Sequence, residues 1–151
     1  MTNHPSTRVT ILAEGGIHVI LAAMERHPNE LMIHQLCCGG LESWLNDNDM
    51  GQVTLCKRRG GIRLVISAMR ANPNDEELQS ACCGILSSLA AGDWMNLAVS
   101  VPFATMIAKR GAIPLILGAL DRHQSSTKVQ GRGCSVILNL SYGDAAVFDK
   151  P

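Results

Sequence analysis

Aromatic side chains are scarce in these 151 residues: two Phe, two Trp and one Tyr make up 3% of the chain. Any core must therefore come from Ile, Leu, Val, Met, Ala and Cys, within a hydrophobic share of 46%. The length suffices for one domain with a sizeable core. A charge excess is also missing. Thirteen basic and thirteen acidic residues cancel to zero, which argues against a nucleic-acid or anionic-membrane binder, since these depend on a basic surplus. No apolar run nears the roughly 20 residues of a membrane span. Met1 to Arg8 is polar and interrupted by Pro5, so no secretory h-region is expected there. Six cysteines without such a leader point to reduced thiols in the cytoplasm or the nucleus.

Signs of catalysis are missing too. There is no glycine-rich phosphate loop, and no Ser-His-Asp or Cys-His pair at a telling spacing. The clustered carboxylates, Asp47 with Asp49 and Asp75 with Glu76 and Glu77, fall at expected helix starts, where negative charge opposes the helix dipole. We read the chain as not an enzyme and as needing no cofactor. The cysteines Cys37, Cys38, Cys82, Cys83 and Cys134, with His34 one turn before Cys38, raise a metal reading. Zinc requires four ligands converging on one point, whereas adjacent helical cysteines diverge, and no Cys-x-x-Cys occurs. Equivalent cysteines on stacked helices are expected about 10 Å apart, too far for a disulfide. Core packing, with no metal, is the expectation. Lys57-Arg58-Arg59 and Lys109-Arg110 read as charge compensation at helix ends, with no interleaved aromatics to stack bases.

What the chain does contain is a repeat. Thirty-residue segments begin at Gly15, Gly60 and Gly111; the first two agree at 12 positions, and the third matches them at eight and seven. Average usage would give roughly two chance matches per pair. Each copy opens with glycine after a short helical segment, the first from about Thr7 to Glu14. A longer helix follows, with a stripe at i, i+3, i+4 and i+7: Ile17, Ile20, Leu21 and Met24; Ile62, Val65, Ile66 and Met69; Ile113, Ile116, Leu117 and Leu120. Arg26 with His27, Arg70, and Arg122 with His123 close these helices on the favourable side of the dipole. Pro28 and Pro73 forbid continuation. Asn29, Asn74 and Ser125 are the expected N-caps of the next helix, Asn74 with Glu77 as a capping box.

That next helix has its own stripe: Ile33, Cys37, Gly40, Leu41 and Trp44; Leu78, Cys82, Ile85, Leu86 and Leu89; Val129, Gly133, Val136, Ile137 and Leu140. With two apolar faces per unit, copies must stack to bury both. Between copies, Asn46 to Asp49 reads as a polar turn before a short helix, capped by Asp49 with Gln52, that ends at Gly60. The six extra residues of the second junction fall in Gly92 to Thr105, read as a kinked first helix or a small loop carrying Trp94. Beyond Tyr142 the tail, Gly143 to Pro151, shows no amphipathic helix.

Three helices per unit, a period near 45 and a glycine between a short and a longer helix resemble the armadillo repeat. Lys109-Arg110-Gly111-Ala112-Ile113-Pro114-Leu115-Ile116, Val129-Gln130, Leu138-Asn139-Leu140-Ser141 and Leu78-Gln79 carry the resemblance, which covers about Thr7 to Ser141. It implies an all-α fold: a right-handed α-solenoid of three armadillo-like three-helix repeats, about 7–48, 49–92 and 93–144, in one domain with a tail at 145–151. It also implies a concave groove, lined by third helices, that binds an extended peptide or protein partner. Off the apolar stripes, that groove would present Gln35, Gly39, Glu42 and Ser43; Glu77, Ser80, Gly84, Ser87 and Ser88; and Lys128, Ser135 and Asn139. Met32, Gly131 and Leu138 also lie off the stripes. Small residues at 39, 84 and 135 suggest a shallow floor, and the change from Glu42 and Glu77 to Lys128 a mixed-charge ligand.

The nuclear-import branch of that family places Trp and Asn four residues apart on the third helix. Here the positions hold Gly39 and Ser43, Gly84 and Ser88, Ser135 and Asn139, so every Trp is missing and only Asn139 remains. The reading is thus a non-catalytic protein-interaction module without nucleic acid or membrane. A regulatory or structural segment of a larger signalling or cytoskeletal protein comes next, and an import-type adaptor after it. The outermost copies lack polar caps, so apolar surface should stay open, met by end-to-end self-association or by flanking repeats in a longer chain.

Overall fold

The computed structural model describes residues 5–45, 60–95 and 103–148. Every element among them is a helix. In chain order they are α1 (Pro5–Ala13), α2 (Gly16–Arg26), α3 (Leu31–Leu45), α4 (Gly61–Ala71), α5 (Glu76–Met95), α6 (Phe103–Lys109), α7 (Ala112–Arg122) and α8 (Thr127–Phe148). The expected turn at 46–49, the short helix after it and the stretch 96–102 lie outside the described residues.

Glycine marks the same bend in each copy. Gly15, Gly60 and Gly111 have φ of 86°, 87° and 81°, a left-handed conformation in which a Cβ would strain the backbone. The bend redirects the chain by 65° between α1 and α2 and by 78° between α6 and α7. Helices α2, α4 and α7 then run 11 residues each, with Arg26, Arg70 and Arg122 in their last turns.

A second turn also recurs atom for atom. Glu30, Asp75 and Ser126 donate their backbone N–H to the carbonyls of His27, Asn72 and His123 at 3.2, 3.3 and 3.0 Å. The same three residues then accept the first helical bond of α3, α5 and α8, from His34, Gln79 and Gln130. Caps therefore lie one residue later than expected. Asp75 Oδ1 takes the Leu78 N–H at 2.8 Å, and Ser126 Oγ takes that of Val129 at 3.3 Å. Asn74 does not cap α5 or form a box with Glu77; its side chain instead accepts from Arg122 at 2.7 Å. The turn needs one more residue than Pro28 or Pro73 suggests before backbone N–H groups point along the new axis.

The helices pack as two layers. α2, α4 and α7 neighbour one another in sequence, as do α3, α5 and α8, and each copy joins its two helices across the layers. Ile17, Met24, Leu41, Met69, Leu78, Ile85, Leu86, Leu89 and Ile116 are almost wholly buried in one continuous core. In the third copy the first stripe is only half covered: Ile116 is buried and Leu120 half-buried, but Ile113 and Leu117 are exposed. On α3 the fully covered set is His34, Cys38, Leu41 and Leu45, of which only Leu41 belongs to the expected stripe; α3 packs more extensively on α5 than on α2, and Cys38 meets Cys82 there. Helix α5 runs on through Gly92 to Met95, and α8 through the expected tail to Phe148. No proline interrupts either run, and Ala145 and Ala146 favour helix.

Candidate functional site

One concavity of about 350 Å³ spans the middle of α3 and the N-terminal halves of α5 and α8. It is lined by Gln35, Gly39 and Glu42 of α3, Glu76, Glu77, Ser80 and Ala81 of α5, and Lys128 and Arg132 of α8. Six of these were expected from the helix faces: Gln35, Gly39, Glu42, Glu77, Ser80 and Lys128. Repeat stacking brings them together because equivalent positions of successive copies point the same way. Gln35 is tied at the rim, donating to Asp75 Oδ2 at 2.9 Å.

The remaining expected residues do not line this opening. Ser43 is exposed on α3 beyond it. Ser87, Ser135 and Asn139 are taken up in the seam between α5 and α8: the two hydroxyls lie 2.7 Å apart, and Asn139 Nδ2 donates to both the carbonyl and hydroxyl of Ser87 at 3.1 Å. Ser88 is half-buried on the same helix. Gly84, read as part of a shallow outward floor, is buried, as is Ser80, although Ser80 does line the opening. The space a Cβ would occupy at Gly84 is filled by the Glu42 carboxylate, reaching across from α3.

Arg132 was not singled out from the sequence, and Glu76 only as a helix-start carboxylate; Arg132 proves central. Its Nη2 lies 2.7 Å from Glu42 Oε1, and its Nη1 donates to Ser80 Oγ at 2.5 Å. One guanidinium thus joins α8, α5 and α3 over the small side chains of α5. Its spacing of four from Lys128 puts both cations on one helical face, and that was the available signal. Burial pushes the Glu42 carboxyl above the usual carboxylate range, with Arg132 and then Lys128 pulling it back down. The lining is mixed in sign: Glu42, Glu76 and Glu77 against Lys128 and Arg132.

Comparison of the chain with protein-family models, with curated proteins and with solved structures finds no match.

The cysteines are distributed unevenly. Cys38, Cys82 and Cys83 are buried, Cys37 is half-buried and Cys134 is exposed, so packing does not account for all of them; Cys56 lies outside the described residues. Cys37 and Cys82 hold equivalent places, their thiols directed at the carbonyls of Ile20 and Val65 at 3.9 and 3.7 Å. Cys82 Sγ also lies 4.0 Å from Cys38 Sγ, far closer than the expected interhelical separation. The two are not equivalent positions, and side chains leaning inward from neighbouring helices close most of the gap. The hydrogen bond with Cys38, and then burial, raise the Cys82 thiol well above its ordinary value, and burial pushes Cys83 up to about 12. Such thiols stay protonated and poorly nucleophilic at neutral pH. Among the described residues, no three His, Cys, Asp or Glu side chains converge as a metal site.

Two glutamines, Gln79 buried and Gln130 half-buried, tie the third helix of a copy to the end of its second. Gln79 donates to the carbonyls of Met69 and Asn72, both at 2.8 Å, and Gln130 to those of Leu120 and His123 at 2.7 and 3.1 Å. Each glutamine thereby bonds a carbonyl near the end of the second helix, that of Met69 or Leu120, and gives a second donor to the turn carbonyl of Asn72 or His123, which already accepts from Asp75 or Ser126. The first copy has His34 there instead, buried and with Nδ1 3.4 Å from Asn72 Nδ2 of the next copy. The match of Gln79 with Gln130 was legible in the repeat.

Proposed function

We propose that the chain is a non-catalytic protein-interaction module, an armadillo-like right-handed α-solenoid segment of three repeats that binds an extended, mixed-charge peptide across its third helices. The observation carrying this reading is the concavity to which α3, α5 and α8 contribute side chains from matching faces, with Glu76 and Glu77 on one helix and Lys128 on another. Exposed charges at a rim steer and orient a ligand more than they hold it, while backbone contact over Gly39 meets no obstructing Cβ. Its partner is a protein or peptide, in the cytoplasm or nucleus where free thiols persist.

The second reading, a regulatory or structural segment without its own peptide groove, draws on the Arg132–Glu42 tie, which closes the seam at Gly84. Selection from a random peptide library separates the two. Peptides carrying both signs should be enriched, and binding should fall at least about tenfold, or 1.4 kcal/mol, when Glu76→Lys, Glu77→Lys and Lys128→Glu are combined. Enriched peptides that bind this variant as well as the original chain would sink the groove reading.

A further inference from the structure

We propose that the two ends of the stack dock on each other between copies of this chain, head to tail, repeating the junction that already joins one internal repeat to the next. The repeat itself tells which way each apolar position faces. Val19 is 67% exposed, whereas Leu64, 45 residues on, is 9% exposed. That position is covered only when a unit stands before it. Leu117 is 52% exposed, whereas Ile66, 51 residues earlier, is 2% exposed. That position is covered only when a unit stands after it. Leu36 extends the first bare face and Ile113 the second, each with a buried counterpart, Ala81 and Ile62, in the middle copy. The two bare faces are thus the two halves of one junction, and apolar patches of this kind mark interfaces.

Polar groups at the ends match in the same register. At the second internal junction, Arg122 donates to the Asn74 side chain, and His123 Nε2 lies 2.8 Å from the Pro73 carbonyl. The middle copy lacks this Arg-His pair, having Ala71-Asn72 there, but the first copy has it again as Arg26-His27. Both residues are exposed on the leading end. On the trailing end, the positions equivalent to Pro73 and Asn74 are Gln124 and Ser125, which offer a carbonyl and a hydroxyl at the same places. Likewise Arg63 pairs with Glu25 at 3.5 Å across the first junction, and the corresponding end residues are His18 and Asp121. Like-with-like docking would set Arg26 near Arg26, or Asp121 near Asp121.

A head-to-tail contact between different surfaces leaves a free end on each oligomer, so it grows rather than closing as a dimer. The contact depends on the stacking of the copies and not on the groove, so a chain that assembles but binds no peptide would sink only the groove reading. The test is sedimentation velocity on the intact chain from low to high micromolar concentration. The unaltered chain should form a concentration-dependent ladder of species. Val19→Glu and Leu117→Glu should each remain monomeric, and mixing the two should give a dimer and nothing larger, because each keeps one good end. A monomeric unaltered chain, or a closed dimer of either variant alone, would overturn the proposal. Circular dichroism checks that helicity is kept. Should either variant lose it, the chain carrying Arg26→Ala and His27→Ala decides: it should assemble at least several-fold more weakly, and unchanged assembly would also overturn the proposal.

Discussion

The middle copy and the two outer copies carry the same apolar stripes, yet only the middle one is covered on both sides. In α4 and α5, Ile62, Leu64, Val65 and Ile66 are buried, as are Leu78, Ile85, Leu86 and Leu89. On α2 the matching face leaves Val19 bare, and on α7 it leaves Ile113 and Leu117 bare. A stripe is therefore not one surface. On α7 the half that would meet a following unit is bare, while on α2 the stripe itself is covered and the bare residue, Val19, lies beside it. Small residues divide the same way: Gly84 in the middle receives the Glu42 carboxylate, while nothing lies within 4 Å of the Cβ position at Gly39.

Core truncation gives the largest test of that contrast. Leu86→Ala in the middle should cost about 2–5 kcal/mol in chemical unfolding, whereas Leu117→Ala should stay within about 0.5 kcal/mol at dilute protein. Equal costs would mean that the Leu117 face is covered in solution. The glycines give a smaller contrast. Gly84→Trp must evict the Glu42 carboxylate and should cost about 1–3 kcal/mol; Gly39→Trp should be neutral or slightly stabilising, since glycine is the poorer helix former. Similar losses at both sites would show that α3 is as closely approached as α5. The last contrast concerns reactivity alone. Cys134 is exposed, whereas Cys82 and Cys83 are buried with raised pKa values, so Cys134→Ser should remove one fast-reacting thiol at neutral pH and leave the slow ones untouched. Loss of a slow thiol instead would place Cys134 inside the stack.

Much of this was legible because it is local. A glycine that must take positive φ, a proline that cannot continue a helix and a 3.6-residue stripe all act within a turn or two, and the bends at Gly15, Gly60 and Gly111 stand where the repeat puts them. Layering followed from two apolar faces per unit. Three things were not legible, each for a long-range reason. Which half of a stripe meets which neighbour depends on place in the stack, so Ile113 and Leu117 read like Ile62 and Ile66. Gly84 reads as open floor until the length of Glu42 is laid across it. Cys38 and Cys82 approach because their side chains lean together, which helix spacing alone does not convey. In the concavity, the residues on helix faces came through, and Arg132 was missed because its partners lie on two other helices.

Arg132 carries one more implication. In a simple stack, each unit interacts only with those beside it, and stability is a sum of unit and nearest-neighbour contributions. Here a side chain of the third unit holds a carboxylate of the first while touching the second. The outermost units are thus directly coupled, past the one between them. Fraying that begins at α8 frees Glu42 on α3, and loosening of α3 releases Arg132 in return. Fraying at the two ends should therefore be less independent than nearest-neighbour counting gives, by the modest amount that one part-exposed ion pair contributes.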